Sequence, residues 1–220
     1  MLHHCTNLNN APFAEVVRIK NLGRQEYEPV WQQMKLYTHN RTVCSVDEIW
    51  SLEHFPVYTQ GQAGKAEHIL NPGIIPVIQS DRGGQVTYHG PGQVVLYCMV
   101  DIARKKINIR NFVSILESSV IELLYKYNIN ATTDHAAPGV YVNHAKICSV
   151  GLRVRHGRTY HGLSLNVDMN LEPFTCINPC GYAGMSITDM RELGCIVGTD
   201  SIAQQLLTIL TDKIGYTGIT

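Results

Sequence analysis

Missing from this chain of 220 residues is any excess of one charge. Lys and Arg together count 18, Asp and Glu count 18, and the formal net charge is zero. A protein built around nucleic acid usually carries a basic surplus, so no nucleic-acid partner is expected. No apolar run approaches the roughly 20 residues that a bilayer span requires, so no membrane role is expected. The opening, MLHHCTNLNNAPF, lacks the apolar centre of a secretory leader. No internal repeat, low-complexity tract or composition break marks a linker. The seven cysteines, an odd number, include only one C-x3-C pair, Cys176 and Cys180, with no second pair at metal-ligand spacing. Neither zinc nor a disulfide framework is expected; reduced thiols in a cytoplasmic protein fit better.

What is present reads as globular: 45% hydrophobic and 16% charged residues. Residues 1–12 read as a loose tail, and Glu15 to Ile19 as a first strand. RQEYEPVWQQMKLYTHN has helical spacing through Tyr27, Trp31 and Met34, with Pro29 tolerable only in the first turn. Ile49 to Leu52, IPVIQ, GQVTY and QVVLYCMV read as strands. A long amphipathic helix follows from Asn108, a candidate N-cap, to Tyr127. GVYV, AKICSVGLRVR and TYHGLSLNV are further strands, with Asn143-His144 and His156-Gly157 as turns between them. A short helix is expected over Ile187 to Leu193 and a last one from about Thr199. The fold class is α+β: a mixed, mostly antiparallel sheet packed by helices. Residues 1–220 form one catalytic domain, with 181–220 as a candidate small C-terminal lobe.

Four stretches draw attention as chemistry. RGGQVTYHGPGQ, residues 82–93, lacks the GxxxxGK(S/T) of a phosphate loop, and strands on both sides, where a helix should follow, exclude a dinucleotide fingerprint. Its glycines either admit a ligand against bare backbone or simply turn a hairpin. Cys180, between Pro179 and Gly181, is either a thiol presented on a bent loop or a buried, inert cysteine. Lys146 opens an apolar strand. It either enters a cleft, where desolvation lowers its pKa, or faces water at a sheet edge. His89 and His161, each followed by glycine, either line a site or serve the structure.

Taken in series, RGGQVTYHGPGQ, APGVYV with AKI, HGLSLNVDM and INPCGYAG closely resemble the lipoyl (octanoyl) transferases of lipoate synthesis. DEIW, EHFPVYTQGQAGK and NPGIIPV extend the resemblance over roughly residues 20–190. It implies the fold of the biotin- and lipoate-protein ligases. It also implies transfer of an octanoyl group from octanoyl-acyl carrier protein to a lysine of a lipoyl domain, without ATP, cofactor or metal. Acceptors would be the lipoyl domains of 2-oxoacid dehydrogenase complexes and the glycine cleavage H protein. Position by position, Cys180 matches the acyl-accepting cysteine and Lys146 its partner. Arg82, Gly83, Gly84, Gln85, Val86, Thr87, Tyr88 and His89 match the substrate-binding loop. Ser149, Val150 and Gly151, with Gly162, Leu163 and Ser164, match segments lining the acyl pocket, and His161 is a supporting candidate. Cys148 departs from the small alanine common at that position, which places a second thiol near Lys146. An ATP-dependent lipoate-protein ligase, a cysteine hydrolase using Cys180 with His161 or His89, and a non-catalytic binding module are the alternatives. An acidic carrier would need a local basic patch. The candidates are Arg104, Lys105, Lys106 and Arg110, and separately Arg153, Arg155 and Arg158; ordinary solvated charges are the other reading.

Overall fold

Strand alternation and two β-turns set the frame. A computed structural model describes residues 15–134 and 137–220; the expected tail at 1–12 lies outside them. In chain order the elements begin β1 (Val16–Gln25), α1 (Tyr27–Asn40), β2 (Asp47–His54), β3 (Val57–Gln60), β4 (Val77–Gln79), β5 (Val86–His89) and β6 (Gln93–Met99). They continue α2 (Ile109–Lys126), β7 (Thr132–Thr133), β8 (Gly139–Val142), β9 (Ala145–Arg155), β10 (Arg158–Asn166), α3 (Thr199–Ile214) and β11 (Gly218–Ile219). The large sheet has eight strands in the order β11-β1-β2-β6-β10-β9-β8-β7, and a small sheet has the order β4-β3-β5. The β1 pairings with β2 and β11 are parallel, and the remaining ladders of the large sheet antiparallel. The fold is therefore α+β with a mixed sheet.

Both two-residue turns form where the sequence places them. Asn143 and His144 join β8 to β9 at φ 48° and 68°, and His156 and Gly157 join β9 to β10 at 51° and 75°. Paired positive φ values match the right-handed twist of the flanking strands. Helices cover both faces. The apolar stripe of α2 (Phe112, Leu116, Val120, Leu123) and that of α3 (Ile202, Leu206, Leu210) pack against Val94, Leu96, Cys98, Leu163 and Leu165. On the opposite face α1 buries Tyr27, Val30 and Met34 against Trp50, Val95, Tyr97 and Tyr160. Pro29 sits in its first turn, where no N–H is needed.

One expected element is absent. Residues 187–193 do not form a helix. Ile187 instead bridges in parallel to Lys146, with Lys146 N–H donating to Ser186 O at 2.8 Å and Thr188 N–H to Lys146 O at 3.0 Å. The Asp189 carboxylate then takes the N–H groups of Glu192 and Met169, ending the segment as a turn. Helical spacing loses here to a backbone ladder that a spacing rule cannot see. β3 and β7 were not anticipated either.

Asn108 caps α2, its Oδ1 accepting the N–H of Asn111 at 2.8 Å. Asn108→Ala should lower stability by about 1 kcal/mol. Urea unfolding should show an earlier midpoint with an unchanged slope.

Candidate active site

The two faces of β10 separate core from cavity. Leu165 points into the helix-covered core, Gly162 and Ser164 face a cavity of about 420 Å³, and Leu163 packs in the core while also reaching the cavity wall. That volume lies in the usual small-ligand range of about 300–1,000 Å³. Its wall combines residues 82–89, much of β9 and the turn at Cys180, so segments far apart in sequence meet there. Of the positions singled out in the sequence, all but Tyr88 line it. Tyr88 is one strand step from Thr87 and His89. It turns away, into a cluster with Tyr58 and Phe174.

Lys146 owes its direction to a bulge. Val140 pairs with Cys148 but Tyr141 pairs with Lys146, so Ile147 is an extra residue in the ladder. Ile147 and Cys148 both enter the core, and Lys146 is turned into the cavity. Bulges commonly re-aim side chains in this way. Lys146 is 2% exposed, so it is no edge lysine facing water. Its Nζ donates to Cys180 Sγ at 2.9 Å and to Pro138 O at 3.0 Å, and lies 5.2 Å from the centre of the Tyr141 ring. Burial pulls its pKa down, but the charge and hydrogen bond of Cys180, then of Tyr141, outweigh it and hold Lys146 above the ordinary lysine value. The expected lowering is therefore overturned. Gly139 makes room for this side chain: at φ 142°, a Cβ there would stand 2.8 Å from Lys146 Cε and 2.4 Å from Cys148 O.

Cys180 sits in the tight 3₁₀ turn Pro179–Gly181 at φ 56°, a conformation that side chains other than glycine seldom adopt. The turn is pinned from outside. Asn178 N–H donates to His68 O at 2.8 Å, and Ile177 bridges to Ile69. The thiol is half-buried. Cys148, by contrast, is buried, and burial pushes its thiol up to about 12 despite Lys146 nearby. It is an inert core thiol at neutral pH.

The rest of the loop braces the cavity. The Arg82 guanidinium donates to Thr59 Oγ1 and O, Gly83 O and Gln85 O, so it is largely committed to the protein's own backbone. Gly90 and Gly92 do not line the cavity; at Gly92 a Cβ would fall 1.8 Å from Asp168 O, a close approach within the protein itself. His89 gives its Nδ1–H to Gln93 Oε1 at 2.7 Å. Burial, with His54 and Arg82 nearby, holds it well below its ordinary pKa, hence neutral. At His161, φ of 60° brings its ring against Tyr160, with centres 5.0 Å apart. Asp81 accepts from His161 Nε2 (2.9 Å), Tyr160 OH (2.5 Å) and Trp31 Nε1 (2.7 Å). Burial raises the Asp81 pKa, but these three donors outweigh it and hold the carboxyl far below the usual range. Asp81 was not singled out in the sequence, nor were Tyr27, Val95 and Tyr97, which line the cavity. Strand alternation in β6 sets Val95 and Tyr97 apart from Val94 and Leu96, but not which face is hollow. Among the described residues no group of three His, Cys, Asp or Glu is placed to hold a metal ion, and no helix is long and apolar enough to cross a membrane.

The profile of the lipoyl protein ligase A/B catalytic domain matches residues 26–211. The chain is 57% identical over 198 residues to an octanoyltransferase of Vibrio atlanticus (strain LGP32), covering 90% of each chain. To an octanoyltransferase of Shewanella oneidensis it is 56% identical over 200 residues, 91% of this chain and 92% of that one. Among solved structures, lipoate-protein ligase A bound with ATP superposes with a TM-score of 0.73 at 13% identity, covering 92% of this chain and 89% of that one. A bipartite lipoate protein ligase from Thermoplasma acidophilum, solved in a study with its E2 lipoyl domain, gives 0.72 at 13% identity, covering 92% and 87%. Biotin protein ligase from Aquifex aeolicus gives 0.53 at 12% identity, covering 90% and 68%. At such identities the structures speak for the fold alone.

A carboxyl held below its unfolded pKa contributes stability that is complete above that unfolded value and fades as pH falls. For Asp81 the fading begins near the ordinary aspartate pKa of about 3.9. Asp81→Asn should therefore be less stable than wild type at neutral pH, by a margin that narrows as pH falls below about 4. Urea unfolding at stepped pH measures it; a margin independent of pH would refute the assignment.

Proposed function

The chain belongs to the lipoyl protein ligase A/B catalytic family, and within it to the octanoyltransferases, and from that premise we propose a reaction and its route. It moves an octanoyl group from an acyl carrier protein to a lysine of a lipoyl domain, through a thioester on Cys180. The observation that carries the route is the 2.9 Å contact between Lys146 Nζ and Cys180 Sγ inside the cavity. The reaction makes the protein an acyltransferase, acting in the cytoplasm. An E2 lipoyl domain in the study of the T. acidophilum ligase supports the choice of acceptor.

The charges around Lys146 suggest how one residue serves both halves. In the resting pair the ammonium faces the thiolate, which is the nucleophile. Attack on the carrier thioester forms the Cys180 thioester and expels the carrier's thiolate, which takes a proton from Lys146. The sulfur is now uncharged, so the largest influence left on Lys146 is burial, which favours the neutral amine. That amine accepts the proton of the incoming lysine as the amide forms. Cys180 leaves as thiolate, and the ion pair is restored. Thioester to thioester is nearly neutral in free energy and thioester to amide is downhill, so no ATP enters. Burying the six internal CH₂ groups of an octanoyl chain against Val95, Val150, Leu163 and their neighbours would contribute roughly 5 kcal/mol to binding.

Intact-mass measurement after mixing the protein with octanoyl-carrier protein tests the route. One octanoyl should be gained at Cys180 without ATP. A ligase would need ATP and Mg²⁺, and a hydrolase would release free acid with no amine present. Cys180→Ala should abolish transfer, while Cys148→Ala and Cys176→Ala should keep most of it. Lys146→Arg retains the cation but cannot lose its proton. It should still acylate Cys180 yet pass the group on about 10²–10⁴-fold more slowly in single-turnover kinetics. Near-normal transfer by Lys146→Arg would leave Lys146 a purely electrostatic part.

Docking narrows to fewer charges than the sequence offered. Arg104 is engaged with Asp47, Arg158 with Asp101, and Lys105 lies over the Tyr216 ring. Arg153 is engaged with Gln62, whereas exposed Arg110 and Arg155 adjoin Ile109 and Val154, exposed residues that line the cavity. The double reversal Arg110→Glu with Arg155→Glu should raise KM for the carrier thioester and flatten its salt dependence. KM for octanoyl-pantetheine should stay unchanged. An unaltered KM for the carrier would retire the docking face.

A further inference from the structure

Glu117 is a buried carboxyl group on the inner face of α2, among Leu116, Ser119 and Val120, and the reaction described above makes no use of it. Its Oε1 accepts the N–H of Gly139 at 2.8 Å. The carbonyl of that same peptide unit belongs to Pro138 and accepts Lys146 Nζ at 3.0 Å. Lys146 Nζ donates in turn to Cys180 Sγ at 2.9 Å. One peptide group thus joins the helix carboxyl to the lysine, with its N–H held on one side and its C=O engaged on the other. Hydrogen bonds in series through a peptide polarise one another, and more so away from water. Gly139 permits the arrangement, since a Cβ there would displace Lys146 Cε.

We infer that Glu117 is a positioning residue: through the Pro138–Gly139 peptide it fixes the carbonyl that aims the Lys146 ammonium at Cys180. A buried carboxyl group on a helix face otherwise made of apolar and small residues is costly unless its bonds are used. Here the bond fixes the start of β8, where the strand must pass close to Lys146. The groups facing Lys146 are Cys180, Tyr141 and the Pro138 carbonyl, and Cys148 lies behind it, in the core. The inference rests on the Cys180–Lys146 reading, but its test needs no acyl donor, so the two can fail separately.

The test is the pH profile of Cys180 alkylation by iodoacetamide, followed at that residue by peptide mass mapping. Glu117→Met keeps the bulk and removes the acceptor; it should slow alkylation near neutral pH roughly tenfold and move the profile to higher pH. Glu117→Gln keeps an acceptor oxygen and should restore most of the rate. In a Lys146→Ala background Glu117→Met should change nothing more, because the path from Glu117 to the thiol runs through Lys146. A merely structural role would give the same loss with and without Lys146, and that result overturns the inference. So does an unchanged profile in folded Glu117→Met, or a Glu117→Gln variant as slow as Glu117→Met. Should Glu117→Met fail to fold, Glu117→Asp, one CH₂ shorter, takes its place under the same criteria.

Discussion

A lysine ammonium removed from water must find its partners inside the protein, and the site is arranged around that constraint. Lys146 is 2% exposed, and its partners are a thiol sulfur, one carbonyl and an aromatic ring. None is a carboxylate in direct contact. The charge that raises the lysine pKa is therefore the one on Cys180, which the proposed route would remove and restore. A carboxylate bonded directly to Lys146 would keep it protonated throughout and, on the proposed route, leave the second half-reaction without its base.

Holding two such groups together takes backbone from several segments of the chain. The bulge at Ile147 turns Lys146 away from the core. The extended stretch at 186–188 locks its backbone on one side, and β8 does so on the other. The Cys180 turn hangs from residues 68 and 69. Each tie is a main-chain bond, which side-chain changes at the surface scarcely disturb. The strain of a positive φ at Cys180 is supported by these ties, as unusual backbone conformations at functional sites generally are.

Beneath the dyad, the polar floor works differently. Asp81 gathers Trp31, Tyr160 and His161, and Arg82 gathers the carbonyls of its own loop. These bonds stiffen the walls without presenting a free carboxylate to the cavity, whose lining among the described residues includes Arg82 and Lys146 but no acidic residue. An acyl chain entering it meets apolar surface from Val95, Val150 and Leu163.

The sequence by itself determined most of the elements and the candidate site residues. Alternation marked β6, β8, β9 and β10, turn chemistry placed both two-residue hairpins, and Asn108 announced the start of α2. Those signals are local, so a single chain read in order reveals them. The Cys180 and Lys146 candidates were also legible, one from its Pro-Cys-Gly context and both from their motifs. Only the tertiary structure decided that they touch, that Lys146 is held protonated rather than neutral, and that Tyr88 turns away from the cavity. It alone decided that 186–188 is extended and that Glu117 reaches Lys146 through a peptide. These depend on a bulge, a ladder between segments some 40 residues apart, and the charge of a neighbour. None of those leaves a periodic trace in the order of the residues.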